Sequence, residues 1–450
     1  MEIKPGLVHN ILLTMGRLQG LKRQSINEEE PGKIIHEYRN KQLGGLPIET
    51  VLQRISPDIK RNWKGGTDEM AYYGSVDATP HFLRVLDRFG QAYGDEILDE
   101  TVERRDGEPV TMREVARQAT AWLTGKLAVS KSGLVEYHRL NPHGIVNQVW
   151  KDSAEFYVHE DGKSANHDAP IASIEVQGLA YDGLLAAARF FPEQAAKYRQ
   201  AAEELRDRTI ELLWQESDQY FAVGCDYGST GKLRVINTST ANPAALLDTG
   251  FFDNLKGTER EKYITGIVST IMGNDFLTGA GIRSRALSTA HLVDFWDYHG
   301  SFVSWPKETY DIAKGLRRQG FPTLSRQLEN RLLNIVLKAH EYPEFVYVDE
   351  WGRVLAGAPS KRPRSGQITV SGRDKPERIQ AWTVSAIMAI LTGRLRHKRR
   401  QAAAPEQTAW QIDLEEAILD RIPHVDRYVN PLKLLWHYPT YKYALRDKPA

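Results

Sequence analysis

Carboxylates flanked by aromatic residues recur along this chain and are its strongest chemical signal. The segments rich in these residue types are "GGTDEMAYYGSVDATP", "NQVWKDSAEFY", "FWDYHGSFVSWPKETYD", "HEYPEFVYVDEWG" and "RIQAWT". Hydrolysis of a glycosidic bond needs one carboxylic acid to protonate the leaving oxygen and a second group to activate water or attack the sugar. Aromatic walls around two carboxylates suit this reaction, although such segments also form ordinary helix caps.

Motifs of other site classes are incomplete or absent. "GSTGKL" lacks the first glycine of a phosphate-binding loop, and "HEYRN" and "HEYPEF" lack the second histidine of the zinc-protease pattern. No Cys and His residues have metal-ligand spacing, and no Gly-x-Ser-x-Gly elbow occurs. Glycoside hydrolysis by two carboxylates needs neither a metal ion nor an organic cofactor, and we predict neither.

Composition and charge indicate a soluble globular protein. The 450 residues are 41% hydrophobic and 26% charged, with 59 basic and 58 acidic side chains. This balance favours neither nucleic acid nor an anionic membrane as a partner. Cys225 is the only cysteine, so no internal disulfide can form. The start, "MEIKPGLVHNILLTMGRLQG", has no signal-peptide pattern, and no run is long enough to cross a bilayer. We predict a cytoplasmic protein with a carbohydrate substrate, whose oligomeric state the sequence leaves open.

Helix signals recur from one end of the chain to the other. "SVDATPHFLRVLDRFGQAYG" opens with Ser75 and Asp77, which are good N-cap types, and closes on Gly94. "TMREVARQATAWLTGKL" begins with Thr111 and Glu114 at capping-box spacing. These signals predict an all-α protein.

The helices alternate in character. Residues 172–191 are apolar and residues 193–214 are more charged, which fits an inner helix followed by an outer one. We therefore predict helical hairpins arranged in a ring, with short β-hairpins such as "QYFAVGCDY" in the loops. Residues 350–376 are rich in Gly, Pro and Arg and are predicted to form a long loop.

Four blocks carry a resemblance to a known group of proteins. They are "EEEPGKIIHEYR", "YYGSVDATPHFL", "WKDSAEFYVHEDGKSANHDAPIASIEVQGLAYDGLLAA" and "GAGIRSRAL". They resemble the catalytic domain of glycogen-debranching, amylo-α-1,6-glucosidase-like bacterial proteins. These belong to the six-hairpin (α/α)6-toroid glycosidases, which also include glucoamylases and mannosylglycerate hydrolases. The resemblance implies an (α/α)6 toroid over residues 1–397, followed by a helical tail, 398–450, of unassigned role.

The resemblance also implies the catalytic pair. In this group the general acid lies in the loop after an inner helix, where "WKDS" falls, which implies Asp152. The general base lies in a late loop with a Pro-Glu pair, which implies Glu344. Glu308, in "YHGSFVSWPKE", lies near the expected place and is a rival for the base. Members of the group generally work by inversion, with the two carboxylates straddling a water molecule.

The chain departs from the group at its start. Full-length relatives begin with a β-sandwich domain and a first toroid helix that carries a Gly-Arg-Asp motif for the terminal sugar. This sequence starts at what resembles the second helix. Either the chain is a fragment of such a protein or its ring is completed differently. The expectation is a toroid without the first helix of the relatives and without that helix's substrate-binding Asp.

Further substrate-binding residues are predicted from the same segments. They are Trp150, Lys151, Glu175, Gln177, Tyr73, Asp77, His299, Trp305, Glu308, Gln380 and Trp382. Each has a structural alternative: Asp77 could cap a helix, a lone His is usually satisfied by backbone, and Trp is ordinary core material. Lys151 would lower the pKa of Asp152 if it pointed inward, so we expect it to bind substrate or face away.

The predicted function is hydrolysis of an α-glucosidic bond, in a debranching-type oligosaccharide or a small glucoside. One alternative is a phosphorylase on the same fold, which would have a basic, hydroxyl-rich pocket at Glu344. A second is a carbohydrate-binding toroid without activity, whose affinity would survive Asp152→Asn. A helical interaction scaffold is a third, but it leaves the aromatic and acidic loops unexplained.

Overall fold

The helices of this chain lie in two layers. The computed structural model describes residues 4–39, 42–43, 46–47, 70–294, 297–355, 376–399 and 407–423. Within these ranges the α-helices are α1 (Pro5–Arg17), α2 (Ala78–Tyr93), α3 (Met112–Val129), α4 (Ile174–Phe190), α5 (Ala195–Leu213), α6 (Gly257–Ile271), α7 (Pro306–Arg318), α8 (Pro322–Ala339), α9 (Ala381–Arg399) and α10 (Ala409–Leu419). The segment 242–248 is a 3-10 helix that takes the place of an α-helix between α5 and α6.

The inner layer is a row of five elements in chain order. Helix α2 packs against α4, α4 against the 3-10 helix, the 3-10 helix against α7, and α7 against α9. The outer layer packs on this row: α3 on α2 and α4, α5 on α4, α6 on the 3-10 helix, and α8 on α7 and α9. This inner–outer alternation is that of the predicted (α/α)6 fold class, and it follows the chain order of helical hairpins.

Burial explains which helix lies in which layer. Helix α4 buries residues on all sides, because Gly and Ala positions let its neighbours approach from every direction. Helix α5 buries one stripe: Tyr198, Ala202, Leu205, Arg206, Thr209 and Leu213. Spacings of three and four residues keep these side chains on one face. The predicted inner and outer roles of 172–191 and 193–214 are therefore confirmed.

The predicted helix starts are also found in the structure. The Thr111 hydroxyl accepts a hydrogen bond of 3.2 Å from the backbone N–H of Glu114, which caps α3. Helix α2 begins after Asp77 and ends at Gly94, whose φ of +106° favours glycine. Asp77 does not cap α2 with its side chain, since its carboxylate points to other partners.

Short strands connect the helices, as predicted. They are β1 (Glu37–Arg39), β2 (Gln42–Leu43), β3 (Leu46–Pro47), β4 (Met70–Tyr72), β5 (Thr101–Glu103), β6 (Pro109–Thr111), β7 (Glu136–Tyr137), β8 (Ile171–Ser173), β9 (Trp214–Gln215), β10 (Tyr220–Phe221), β11 (Gly224–Tyr227), β12 (Leu233–Ile236), β13 (Leu277–Thr278), β14 (Gly281–Ile282), β15 (Val303–Ser304) and β16 (Val346–Tyr347). The largest sheet in the described ranges is antiparallel, in the order β12-β11-β8-β7.

Strand β8 and the β15–β16 pair position the loops that carry the candidate site residues. Strand β8 runs directly into α4, so the sheet fixes where that helix begins. Strand β15 is separated from α7 by a single residue and pairs antiparallel with β16, with Val303 opposite Tyr347 and Ser304 opposite Val346. The β15–β16 pair thus holds the loop before β16 against the start of α7.

The C-terminal segment is continuous with the helical layers where it is described. Helix α9 runs through residue 398, where the tail was predicted to begin. Helix α10 packs on α8 and α6, and Ile418 joins the main hydrophobic core. The Glu415 carboxylate accepts hydrogen bonds from the first backbone N–H groups of α8, at Thr323 and Leu324. Residues 424–450 of the predicted tail, and 356–375 of the predicted long loop, lie outside the described residues.

Candidate active site

The N-terminal ends of the inner elements carry polar residues that meet at one end of the row. Asp77 precedes α2, Glu175 is the second residue of α4, Asn242 opens the 3-10 helix, and Glu308 is the third residue of α7. All four are buried. Helix N-termini present backbone N–H groups and a positive dipole end, so carboxylates are favoured there.

One loop links these four residues. The backbone N–H of Trp150 donates to Asp77 Oδ2 at 3.0 Å, and its indole Nε1 donates to Glu175 Oε2 at 2.8 Å. The next residue, Lys151, donates from Nζ to Asn242 Oδ1 at 2.7 Å and forms a buried ion pair with Glu308. Trp150 and Lys151 of the "WKDS" segment therefore connect the N-terminal ends of four elements of the inner layer.

Asn147 keeps this loop closed. Its Nδ2 donates to the Ser153 carbonyl at 2.6 Å, and its Oδ1 accepts from the Tyr137 hydroxyl at 2.9 Å. The Gln148 carbonyl accepts from the backbone N–H of Val76, just before α2. The loop is thus held at both ends, and its side chains have defined directions.

Aromatic rings form a wall beside the loop. Trp305 stacks on His299, with ring centroids 4.9 Å apart and an interplanar angle of 24°. Trp150 meets both rings edge-on, at 5.4 Å from His299 and 5.8 Å from Trp305. Trp382 extends the wall from α9, with its centroid 5.9 Å from that of Trp305 and 38% of its surface exposed. Trp305 and His299 are buried, so only Trp150, which is half-buried, and Trp382 present ring surface to solvent.

Asp152 lies at the edge of this wall. The Tyr298 hydroxyl donates a hydrogen bond to Asp152 Oδ1, and the carboxyl group is half-buried. Burial raises the pKa of Asp152 above its ordinary value, and the bond from Tyr298 only partly opposes this. Lys151 bonds Asn242 and Glu308 instead of Asp152. A raised pKa is what a general acid needs near neutral pH.

Glu344 is the neighbour in sequence of an aromatic ring of the same wall. It precedes Phe345, whose ring lies 5.1 Å from Trp305 and 6.5 Å from Tyr298 between centroids. Glu344 Oε2 accepts a hydrogen bond of 3.2 Å from the backbone N–H of Glu377, in the segment that leads into α9. Tyr298 therefore contacts the Asp152 carboxylate directly and the neighbour of Glu344 through its ring.

Glu308 has partners on both carboxylate oxygens. Oε1 pairs with Lys151, and Oε2 accepts from the Ser284 hydroxyl at 2.7 Å. Both ionic groups are almost fully buried. The position predicted as a rival base is therefore occupied by a carboxylate engaged in an internal ion pair.

Glu175 is a buried acid with an elevated pKa. Burial raises the pKa of Glu175 to about 7, while the positive charge of Lys151 opposes the shift and the negative charge of Asp77 adds to it. Its Oε1 has no hydrogen-bond partner among the described residues. Glu175 is consequently a second group in this site that can be protonated near pH 7.

Replacing Glu175 with Gln tests this assignment through stability. Gln keeps an acceptor for the Trp150 indole but carries no charge. The folded wild type retains the proton up to about pH 7, whereas the ordinary pKa is 4.5. The contribution of Glu175 to stability should therefore fall as pH rises from 4.5 to 7, because the unfolded chain releases this proton first. We expect Glu175→Gln to be more stable than wild type at pH 8 in urea unfolding, with the difference shrinking toward pH 5.

The exposed Glu203→Gln variant on α5 is the control and should show no such trend. A Glu175→Gln difference that is the same at pH 5 and pH 8 would rule out a raised pKa.

Other unpartnered polar atoms lie in the same cluster. Asn242 Nδ2 and both ring nitrogens of His299 are buried and have no hydrogen-bond partner among the described residues. Burial, with the nearby charges of Lys151 and Lys307, lowers the pKa of His299 well below its ordinary value, so the ring is neutral and offers one donor and one acceptor. Buried polar atoms without partners are rare in folded proteins, and sugar hydroxyl groups would satisfy these.

Two predicted binding residues are engaged elsewhere. Gln177 is fully buried: Oε1 accepts from the backbone N–H of Val135 at 2.8 Å, and Nε2 donates to the carbonyls of Val135 and Ser173. Tyr73 is also fully buried, and its hydroxyl donates to the Leu18 carbonyl at 2.7 Å. Both side chains hold backbone segments in place in this structure.

Gln380 lies outside the wall, at the start of α9. Its Nε2 donates to the Glu377 carboxylate at 2.9 Å, and both residues are on an exposed segment beside Trp382. Of the predicted residues, the structure therefore gathers Asp77, Trp150, Lys151, Asp152, Glu175, His299, Trp305 and Glu308, with Glu344, Gln380 and Trp382 at the rim.

Sequence reasoning missed Asn242, Asn147 and Lys307. The Lys307 ammonium lies 4.2 Å from the centroid of the Trp150 ring. Asn242 precedes Pro243, and a proline at this position is typical of the start of a helical turn. This signal could have predicted that Asn242 lies at the N-terminal end of an element of the inner layer. Among the described residues, no group of three His, Cys, Asp or Glu side chains could hold a metal ion, and no helix has the length and apolar character to span a membrane.

No protein-family model and no curated protein matches this sequence. Solved structures similar to the chain include GH63 mannosylglycerate hydrolase from Thermus thermophilus in complex with glucose. The identity is 14% and the TM-score 0.48, over 79% of this chain and 87% of that one. A rhamnosidase from Klebsiella oxytoca is 15% identical, with a TM-score of 0.39 over 65% and 46% of the two chains. Neutral trehalase Nth1 from Saccharomyces cerevisiae is 12% identical, with a TM-score of 0.34 over 62% and 44%. The chain thus spans less than half of the trehalase and of the rhamnosidase.

Proposed function

We propose that this chain is a glycoside hydrolase that cleaves an α-glucosidic bond, with Asp152 as general acid. The observation that carries the proposal is the environment of Asp152: a half-buried carboxyl group with a raised pKa, held by Tyr298 at the edge of a wall of Trp and His rings. Trp150 and Trp382, the less buried members of the wall, supply the surface for the sugar ring, and the acid supplies the proton for the leaving oxygen. The substrate is a debranching-type oligosaccharide or a small glucoside.

Glu344 is the proposed general base. Its rival, Glu308, has one oxygen paired with Lys151 and the other bonded to Ser284, so deprotonating water there would disturb a buried ion pair. Glu344 adjoins the aromatic ring that contacts Tyr298, which supports a place across the wall from Asp152. A water molecule between the two carboxylates would give inversion of the anomeric carbon.

The remaining residues orient the substrate. Glu175, Asn242 and His299 offer unpartnered donors and acceptors, among the described residues, for sugar hydroxyl groups. Lys151 is a positioning residue, because its ammonium group holds Glu308 and Asn242 in place. Tyr298 orients the acid.

The test is sugar release by the purified chain from maltose, isomaltose, limit dextrin, glucosylglycerate and mannosylglycerate. NMR of the first-formed sugar should show the inverted anomer from one of the α-glucosides. Glu344→Gln should lower kcat by about 10²–10⁴-fold. Glu350→Gln, an exposed glutamate six residues later, is the matched control and should not change kcat.

Three results would contradict parts of the proposal. Turnover that requires phosphate would identify a phosphorylase instead. Retention of the anomeric configuration would mean that Glu344 does not act as the general base that activates a water molecule for direct attack. Binding of sugars without any turnover, in a protein with a native circular dichroism spectrum, would exclude hydrolysis of this panel.

A further inference from the structure

A cavity lies on the outer helix α3. Tyr137, whose hydroxyl bonds Asn147 in the active-site loop, is among its lining residues, whereas Asp152, Glu308 and the rings of the aromatic wall are not. Its volume is about 710 Å³. We call it the α3 cavity and define it by Arg23, Glu30, Trp122, Gly125, Lys126 and Glu136. Cavities of about 300–1,000 Å³ are typical of small-molecule sites. The size therefore suits a small ligand.

One face of α3 forms a side of this cavity. Trp122, Gly125, Lys126 and Val129 all line it, and their spacing of three and four residues puts them on one stripe of the helix. Val129 is 79% exposed, although it is apolar. The stripe combines the Trp122 ring, a position without a side chain at Gly125 and the ammonium group of Lys126.

Gly125 is not explained by packing within the protein. It lies inside α3, where glycine is a poor helix former, and its φ is not positive. A Cβ atom at this position would meet no atom within 4 Å. Glycine also occurs where a ligand approaches the backbone closely, and position 125 is on the cavity wall.

The charged groups around the cavity are already balanced. The Glu30 carboxylate has Lys126 Nζ at 2.9 Å, Lys33 Nζ at 3.3 Å and Arg23 at 4.0 Å. Glu136 accepts hydrogen bonds from the Ser132 and Tyr227 hydroxyls. The lining contains two cationic and two anionic side chains, Arg23 and Lys126 against Glu30 and Glu136, which favours an uncharged ligand with hydroxyl groups over an ion.

Trp122 lines the cavity, although its side chain is only 7% exposed and belongs to the main hydrophobic core. The ammonium groups of Lys126 and Lys33 lie 5.3 Å and 5.6 Å from its ring centroid. Its indole Nε1 is buried and has no hydrogen-bond partner among the described residues. The small part of the ring that reaches the cavity is an apolar surface beside the paired groups of Glu30 and Lys126, and this combination suits a ligand with one apolar face and several hydroxyl groups.

We propose that the α3 cavity is a second carbohydrate-binding site, which takes a neutral glycosyl unit with its ring against Trp122 and its hydroxyl groups near Glu30 and Lys126. The choice of a sugar as ligand rests on the proposed function, whereas the cavity itself does not. Such a site would hold part of an oligosaccharide away from the reacting bond.

The test is isothermal titration calorimetry of maltotriose into the full chain carrying Asp152→Asn, which suppresses turnover. We expect two binding sites per chain. Adding Gly125→Leu should weaken one of them at least about tenfold, because the new side chain fills the cavity. Adding Trp122→Phe, which removes the indole N–H and part of the ring, should weaken the same site by about three- to tenfold.

Gly393→Leu is the matched control, since Gly393 is also inside a helix with no atom within 4 Å of a built Cβ. Native near-ultraviolet circular dichroism is required of each variant. Equal stoichiometry and affinity in the Gly125→Leu and Gly393→Leu proteins, or no binding that depends on Trp122, would overturn the second site. Failure of the proposed function is separate: it would show as absence of turnover in the wild type, with the Gly125-dependent binding intact.

Discussion

Replacing Asp152 with Asn is expected to lower kcat by about 10²–10⁴-fold with little change in KM, since a general acid contributes that much to proton transfer. Asn has the same shape and can still accept the hydrogen bond from Tyr298, so the aromatic wall should be undisturbed. What is lost is the proton that burial keeps on this carboxyl group above its ordinary pKa. The measurement is steady-state kinetics on the best substrate of the panel, between pH 5 and 9.

The pH profile adds a second readout. Wild-type kcat should fall as pH rises through the raised pKa of Asp152, because only the protonated acid can act. The residual activity of Asp152→Asn should lack that alkaline limb. Asp168→Asn, an exposed aspartate in the same long loop, is the control and should keep both kcat and the profile. An Asp152→Asn enzyme with wild-type kcat would exclude Asp152 as the acid.

Replacing Lys151 with Met is expected to lower the free energy of unfolding by about 3–5 kcal/mol, which is typical when one partner of a buried ion pair is removed. Lys151 is 0% and Glu308 6% exposed, so the remaining carboxylate would be left without its counter-charge in the interior. Asn242 would lose its partner as well. Urea unfolding followed by circular dichroism measures the change at pH 7.

Two further variants make this result interpretable. Lys163→Met removes a surface pair with Asp161. The side chains of Lys163 and Asp161 are 76% and 54% exposed, so this variant should leave the urea midpoint essentially unchanged. The double variant Lys151→Met/Glu308→Gln should recover part of the loss, because no unpaired charge stays buried. A Lys151→Met protein as stable as Lys163→Met would mean that the pair is not buried in solution.

The Lys151–Glu308 pair also bears on function. It joins the "WKDS" loop to the start of α7, and the same loop carries Asp152. We therefore expect Lys151→Met to lose activity even where it remains folded. Rescue by Lys151→Arg would be incomplete, since the longer guanidinium does not fit a site shaped for a compact ammonium group.

Local features of the sequence were enough to predict the helices. Thr111 and Glu114 formed the predicted cap of α3, and the apolar run 172–191 became a helix buried on all sides. Both signals depend on residues within a few positions of each other, so they can be read without knowledge of distant partners. The two-layer order of hairpins followed from the same alternation.

The chemical residues were less predictable, because their roles depend on distant partners. The sequence around Asp77 was equally consistent with a helix cap and with a site residue. In the structure the Asp77 carboxylate accepts a hydrogen bond from the backbone of Trp150, 73 positions away, and therefore points toward the site. Gln177 and Tyr73 had the residue types of a sugar site, yet their polar atoms bind the backbone of Val135 and Leu18. Nothing in their own segments distinguishes these outcomes.

The sequence by itself therefore determined the helical elements and their layer, because periodicity and capping act over a few residues. The loop that carries Asp152 was implied by the resemblance of the "WKDS" block and not by these local patterns. Only the tertiary structure decided which carboxylates are engaged. Lys151 and Glu308 are 157 positions apart, and no sequence pattern relates them. Burial then raises the pKa of Asp152 and Glu175, since desolvation depends on every element packed around a group and on no single segment.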